Sequence, residues 1–217
     1  MPLSVTNYFG SITGLEAVSS DEGLSRTSGE VKDKCGSTVK AFGIETQGKP
    51  SNSYRVTDTV VWGNIALGAE VSGVVVTQVV IATIAGEAPD VQISGEDIGT
   101  ATAVTGLIEA AISDTPTDDT CAQALEGAPD TVSGCHLQSC TATYTCDLKR
   151  IPGGDGTTKK YSISNPRVEV TATYQSTDAS EPTDPVETDT LIVTQPASKS
   201  DDNTTLPKFT LSFTKFL

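Results

Sequence analysis

The side chains able to do chemistry are few and irregularly spaced. His136 is the single histidine of the chain, which removes most acid–base and triad chemistry. Around it stand Cys135, Cys140 and Cys146, with Cys121 upstream and Cys35 far away. That grouping invites a zinc test. On a strand over 137–149, His136, Cys140 and Cys146 are expected on one face. At about 3.3 Å per residue, Cys140 and Cys146 then lie about 20 Å apart, too far for one tetrahedral ion. Cys121, Cys135, His136 and Cys140 converge only if 134–140 is a loop, and no Cys-x-x-Cys knuckle supports one. The cysteines read instead as small buried hydrophobes. Their odd number, five, fits reduced thiols in a cytoplasmically made protein better than a secreted disulfide framework. A Cys121–Cys135 bridge is the alternative.

Carboxylates are abundant but sit in Thr- and Pro-containing loops, Asp114, Asp118 and Asp119 forming the tightest group. No calcium-loop pattern of alternating Asp around a central Gly is present. Gly153-Gly154-Asp155-Gly156 lacks the Lys-Ser/Thr of a phosphate loop, and Gly-x-Ser-x-Gly is absent. The expectation is therefore a non-enzymatic protein with no catalytic, cofactor-binding or metal residues and no cofactor.

Composition says what must hold these residues. The chain has 217 residues, 28 acidic and 14 basic, for a formal charge of −14. That balance disfavours a nucleic-acid binder, whose affinity comes from Lys and Arg on phosphates, and docking on an anionic membrane. Hydrophobic residues make up 36% and aromatics 5%, low for a self-sufficient core and too high for disorder. Thr, Ser and Val number 32, 21 and 20, and Thr and Val suit strands. No targeting segment is expected: the first basic residue is Arg26, and Asn7, Gly10, Gly14 and Glu16 interrupt the start. The longest uncharged apolar stretch, Val71 to Gly86, is too short and too polar to span a membrane as a helix. Asn203-Thr204-Thr205 is a formal glycosylation acceptor that carries no weight alone.

The elements follow from pattern. Residues 1–50 read as an irregular N-terminal arm, with a short helix near Thr13–Val18 and a strand near Ser37–Ile44. Residues 51–217 read as a β-sandwich domain. Tyr54–Val61 alternates toward Trp62. Val71–Ile84 is apolar on both sides, with Val75, Val79 and Ile81 assigned to one and Val74, Val76, Val80 and Ile84 to the other. A strand of that kind is buried on both faces, either within the domain or by another subunit. Ser94-Gly95-Glu96-Asp97 matches a capping box, and Ile98, Ala101, Thr105, Ile108 and Ile112 recur at helical steps, predicting a helix over about 95–114 closed by Pro116.

Leu137–Lys149 alternates strictly, Pro152–Gly156 is a turn cluster, and Lys159–Tyr174 returns as the partner strand with Pro166 at a bulge or edge. Thr-Ala-Thr-Tyr occurs at 141–144 and again at 171–174, read as shared strand chemistry. Thr177–Thr190 is an acidic connection. Leu191–Gln195 and Pro207–Leu217 form a last pair, with Phe209, Leu211 and Phe213 on one face. The fold class is mainly β: an antiparallel sandwich or barrel with one packed helix and a long arm.

This combination of sandwich, single helix, long arm, two-faced apolar strand and negative charge resembles the virion structural proteins of tailed bacteriophages, the tail tube family in particular. The resemblance is architectural and rests on no signature motif. It implies hexameric rings stacked into a hollow tube, a homo-oligomer with other virion proteins as partners, and a virion location after synthesis in the host cytoplasm. It also implies an acidic lumen past which DNA slides, without sequence-specific nucleic-acid binding or a membrane. The rival reading is an extracellular Ig-like binding or adhesion module with at least one disulfide. A glycan-active β enzyme would need a carboxylate pair and aromatic platforms, which the sequence supplies poorly.

Overall fold

A computed structural model describes residues 5–27, 30–32, 34–35, 38–41, 45–113, 131–132, 135–153, 157–176, 187–200 and 207–217. Its elements are all strands: β1 (Thr13–Thr27), β2 (Glu30–Lys32), β3 (Thr38–Ala41), β4 (Glu45–Val61), β5 (Ala66–Leu67), β6 (Glu70–Val71), β7 (Val74–Ile84) and β8 (Asp90–Asp97). After these come β9 (Thr102–Ala103), β10 (Ala110–Ala111), β11 (Thr131–Val132), β12 (Cys135–Pro152), β13 (Thr158–Ser176), β14 (Leu191–Ser200) and β15 (Lys208–Phe216). The main sheet runs β1-β4-β8-β7-β12-β13-β15-β14 and is not closed into a barrel. Every pair along this path is antiparallel.

Thr, Val and Tyr at alternate positions explain the centre of the sheet. On β12 and β13 the two Thr-Ala-Thr-Tyr segments point Ala142, Tyr144, Ala172 and Tyr174 into the core, all fully buried. Phe209, Leu211 and Phe213 of β15 are buried as the alternation requires. The inward side chains of β4, β7, β8, β12, β13 and β15 join one apolar cluster, and Leu15, Ala17 and Leu191 of the edge strands pack against it. Pro166 and Asn165, the latter at φ 52°, fall where the β12–β13 register slips between Thr145 and Asp147. That is the bulge position expected for the proline.

The expected helix at 95–114 is not there; Asp114 lies outside the described residues, and 94–97 belong to β8. Val91, Ile93 and Gly95 alternate into the core face, and the Gly95 hydrogen faces the Val75 carbonyl so closely that a Cβ would stand 2.6 Å from its oxygen. Gly99 and Gly106 then take positive φ, at 59° and 79°, a conformation that ends any helix. The apolar positions assigned to one helical stripe part company. Ile98 and Ala101 are buried on the outer side of the sheet with Val75 and Tyr161, Ile112 joins the main core, and Ile108 is exposed.

The arm differs as well. Residues 13–27, including the expected short helix, are edge strand β1, paired with β4 from Thr13↔Val61 to Thr27↔Glu45. The expected strand near 37–44 is represented by β3, which pairs with β2. Residues 5–12 fold back onto the sheet, where buried Asn52 holds them: its Nδ2 donates to the Thr6 and Ser19 carbonyls at 2.7 and 3.2 Å, and its Oδ1 accepts from the Tyr8 N–H at 2.9 Å. The Tyr54 hydroxyl donates to Asn7 Oδ1 at 2.8 Å, and Phe9 is buried in the core.

Candidate assembly surface

The residues singled out for chemistry are separated by the sheet. Cys135, Cys140 and Cys146 are buried on the core side, while His136 is exposed on the other. The strict alternation predicted over 137–149 fails at its start, because the register slips between Leu137 and Ser139. One extra residue there turns Cys140 inward, away from His136. Burial pushes the Cys146 thiol up to about 11, with the neighbouring Asp147 charge adding to the effect. Cys35 is exposed. Cys121, and with it the alternative bridge to Cys135, lies outside the described residues, as do Asp114, Asp118, Asp119 and Gly154–Gly156. Among the described residues no three His, Cys, Asp or Glu side chains are grouped to hold a metal ion.

A charged cluster does form where β4, β8 and β12 approach. Glu96 receives Lys49 at 3.4 Å and Arg150 at 3.1 Å, and Arg150 Nη2 also donates to the Asp97 carbonyl at 2.8 Å. Lys49 and Arg150 share the Glu96 carboxylate, so the cluster ties the strands together. A groove of about 550 Å³ beside the chain segment 104–111 is lined by Leu107, Ile108, Ile163 and Pro166, with Glu109 as its carboxylate. Among the described residues that line it there is no second titratable side chain for acid–base work.

What the fold does offer is open strand. Among the described residues β1 pairs only with β4, and β14 only with β15, so the main sheet has two unpaired edges. The two are unlike. From Ser19↔Ser53 to Thr27↔Glu45 the β1 register runs without a break. The β14 register slips between Val193 and Gln195 and again between Gln195 and Ser198, around Pro196. Proline and irregularity blunt an edge, whereas a long regular one presents amides and carbonyls to a further strand.

The sheet also has a face turned away from the core, and its composition is unusual for this chain. Outward positions on β12 are Thr141, Thr143 and Thr145. Thr141 stands beside Ala82 of β7 and Thr171 of β13, and Thr171 stands beside Ser212 of β15. In the next row Gln92, Val80, Thr143, Glu169 and Thr214 follow one another across the sheet. The hydroxyls pair sideways, Thr171 with Ser212 at 2.9 Å and Thr173 with Thr210 at 3.4 Å.

On β7 the expectation of a two-faced apolar strand holds in part. A register slip between Val76 and Gln78 puts Val74, Val76, Val79 and Ile81 together in the core. Val75 is buried by the segment around Ile98 on the outer side, while Val80 and Ala82 are only half-buried there. The assignment of Val79 and Ile81 opposite Val74 and Val76 is thus reversed by one inserted residue.

Comparison of the chain with protein-family models and with curated proteins found no match. Any functional reading therefore stands on the residues and the geometry above.

Proposed function

We propose that the chain is a non-enzymatic structural subunit that self-assembles through its sheet into a tube or shell of the bacteriophage tail tube kind. The observation that carries this reading is the unclosed sheet with its long, regular β1 edge. Such an edge is an aggregation hazard in a free monomer and a joint in an assembly. Addition of a neighbour's strand there satisfies the outward backbone groups of β1, and a heterologous contact repeated by rotation closes into a ring. The charge of −14 suits a conduit for DNA, since like charge keeps the phosphate backbone from sticking. Size-exclusion chromatography and negative-stain microscopy of the purified chain test the proposal. Rings, stacked rings or filaments are expected. A well-behaved 22.5 kDa monomer at high concentration refutes it and favours the alternative, the Ig-like module.

A further inference from the structure

We infer that the outward face of the main sheet, centred on Thr141, Thr143 and Thr171, is a stacking surface for the same face of a second copy of this chain. The inference concerns a different surface from the strand edges and does not require the tube.

Charge is the first argument. Across four outward rows between β4 and β14 the charged side chains are Arg55, Asp90, Arg167 and Glu169, two of each sign. Glu16 and Asp21 of β1 continue two of these rows at the edge, so the balanced patch is the part from β4 to β14. A patch with no net charge in a chain of −14 is where two copies approach with least repulsion. Every other outward position in those rows is uncharged, chiefly Thr, Ser and Gln with Val and Ala.

Desolvation is the second. A hydroxyl stripped of water costs free energy unless it keeps a hydrogen bond. The Thr171–Ser212 and Thr173–Thr210 pairs are already bonded to each other, so part of the array loses water at reduced cost. Exposed apolar side chains border the array, Val18 at 47%, Ile84 at 51%, Ile192 at 48% and Phe216 at 42% exposure. Their burial supplies the driving term. The chain covers one end of this side itself, with Ile98 and Ala101 over Val75 and Tyr161.

Size is the third. Four rows extend about 27 Å along the strands and seven strands about 34 Å across them, giving roughly 900 Å². A standard stable interface uses about 800 Å² from each partner. The short side chains suit two sheets packed face to face at about 10 Å. Because the same patch meets itself, the contact is isologous and closes at a dimer.

The test is sedimentation velocity on the full chain beside a Thr141→Glu/Ser212→Glu variant, with Thr141→Val as a companion and circular dichroism to establish that each folds. The wild type is expected to form a dimer that the double carboxylate weakens at least ~100-fold, two new like charges per copy meeting across the contact. Thr141→Val retains it. A folded double variant that dimerises like the wild type overturns the inference, as does a wild type that stays monomeric. Rings formed by both proteins, with stacking or dimerisation unchanged in the double variant, overturn the face and leave the edge-joined tube standing; rings that persist while the dimer is lost support both. A dimer abolished by the double variant, with no ring in either protein, supports the face and removes the tube.

Discussion

Replacing Gly95 by alanine separates the strand that exists from the helix its surroundings suggest. In the first turn of a helix, where Ser94 would be the cap, the exchange is neutral to favourable, because alanine is the better helix former. In β8 the new methyl would stand 2.6 Å from the Val75 carbonyl oxygen, 2.5 Å from Val74 Cγ1 and 3.2 Å from Phe9 Cε1. The side chains can turn, but the carbonyl belongs to the β7–β8 ladder, paired Val75↔Glu96 and Val76↔Gly95. Overpacking of this kind costs about 1–3 kcal/mol. For a chain of this length that lowers the melting temperature by roughly 2–12 °C, at ~2–4 °C per kcal/mol. Thermal unfolding followed by circular dichroism at 218 nm (roughly the β minimum) reads the shift. Gly99→Ala is the control, since nothing lies within 4 Å of its Cβ position and only the φ of 59° is strained. It should cost about 1–2 kcal/mol through the backbone alone. A Gly95→Ala protein that melts at or above the wild-type temperature would refute the packing of β8 on β7.

Three further outcomes follow from named contacts. Asn52→Leu strands the Thr6 and Ser19 carbonyls and the Tyr8 amide that the side chain now serves. It should cost about 2–4 kcal/mol in urea unfolding, with proteolysis beginning near the N-terminus. Folded Cys146 holds its proton up to about 11 against an ordinary 9.0, so the folded state binds more protons than the unfolded one between those values. Stability is therefore full below about pH 9 and falls as pH rises toward 11, and Cys146→Ala should flatten part of that decline in urea midpoints measured across pH. Association of copies carrying −14 each should strengthen from 10 to about 150 mM salt as the Debye length shortens from about 30 to about 8 Å; sedimentation that shows weakening instead would mean that ion pairs across the contact dominate.

Much of the sheet was legible because its signal is local. The hairpin of β12 and β13 announces itself by alternation on both sides of a Gly-rich turn, and β15 by Phe209, Leu211 and Phe213. The helix was misread because Ser-Gly-Glu-Asp satisfies a capping pattern with its side chains, while the decisive fact, a carbonyl of β7 against Gly95, is contributed from twenty residues upstream. Two parity errors share another cause. Single inserted residues near Gln138 and Thr77 flip everything beyond them, and neither position carries the Gly or Pro that would mark a bulge. The edge strand β1 was hidden for a third reason. Its Ser, Asp, Glu and Gly are poor strand formers, and it becomes a strand because β4 offers it a regular ladder and Asn52 ties the preceding segment down.

The placement of charge constrains how such a chain can associate. Asp21, Glu22 and Glu16 lie along the open β1 edge and are exposed, so a strand added there by an equally acidic copy works against them. Cationic side chains on the incoming strand, or screening by salt, must offset that repulsion. Between β4 and β14 the outward sheet face carries no such burden, two arginines balancing two carboxylates, and Glu16 and Asp21 flank that patch only at its β1 end. Low hydrophobic content then acquires a physical sense. Thr in place of Val on that face keeps a monomer soluble, while its methyl group still gives a packing surface once a partner excludes water. An edge that repels at low salt and a face that does not are expected to engage in order, face first, with the edge joining only after stacking has raised the local concentration of a neighbour.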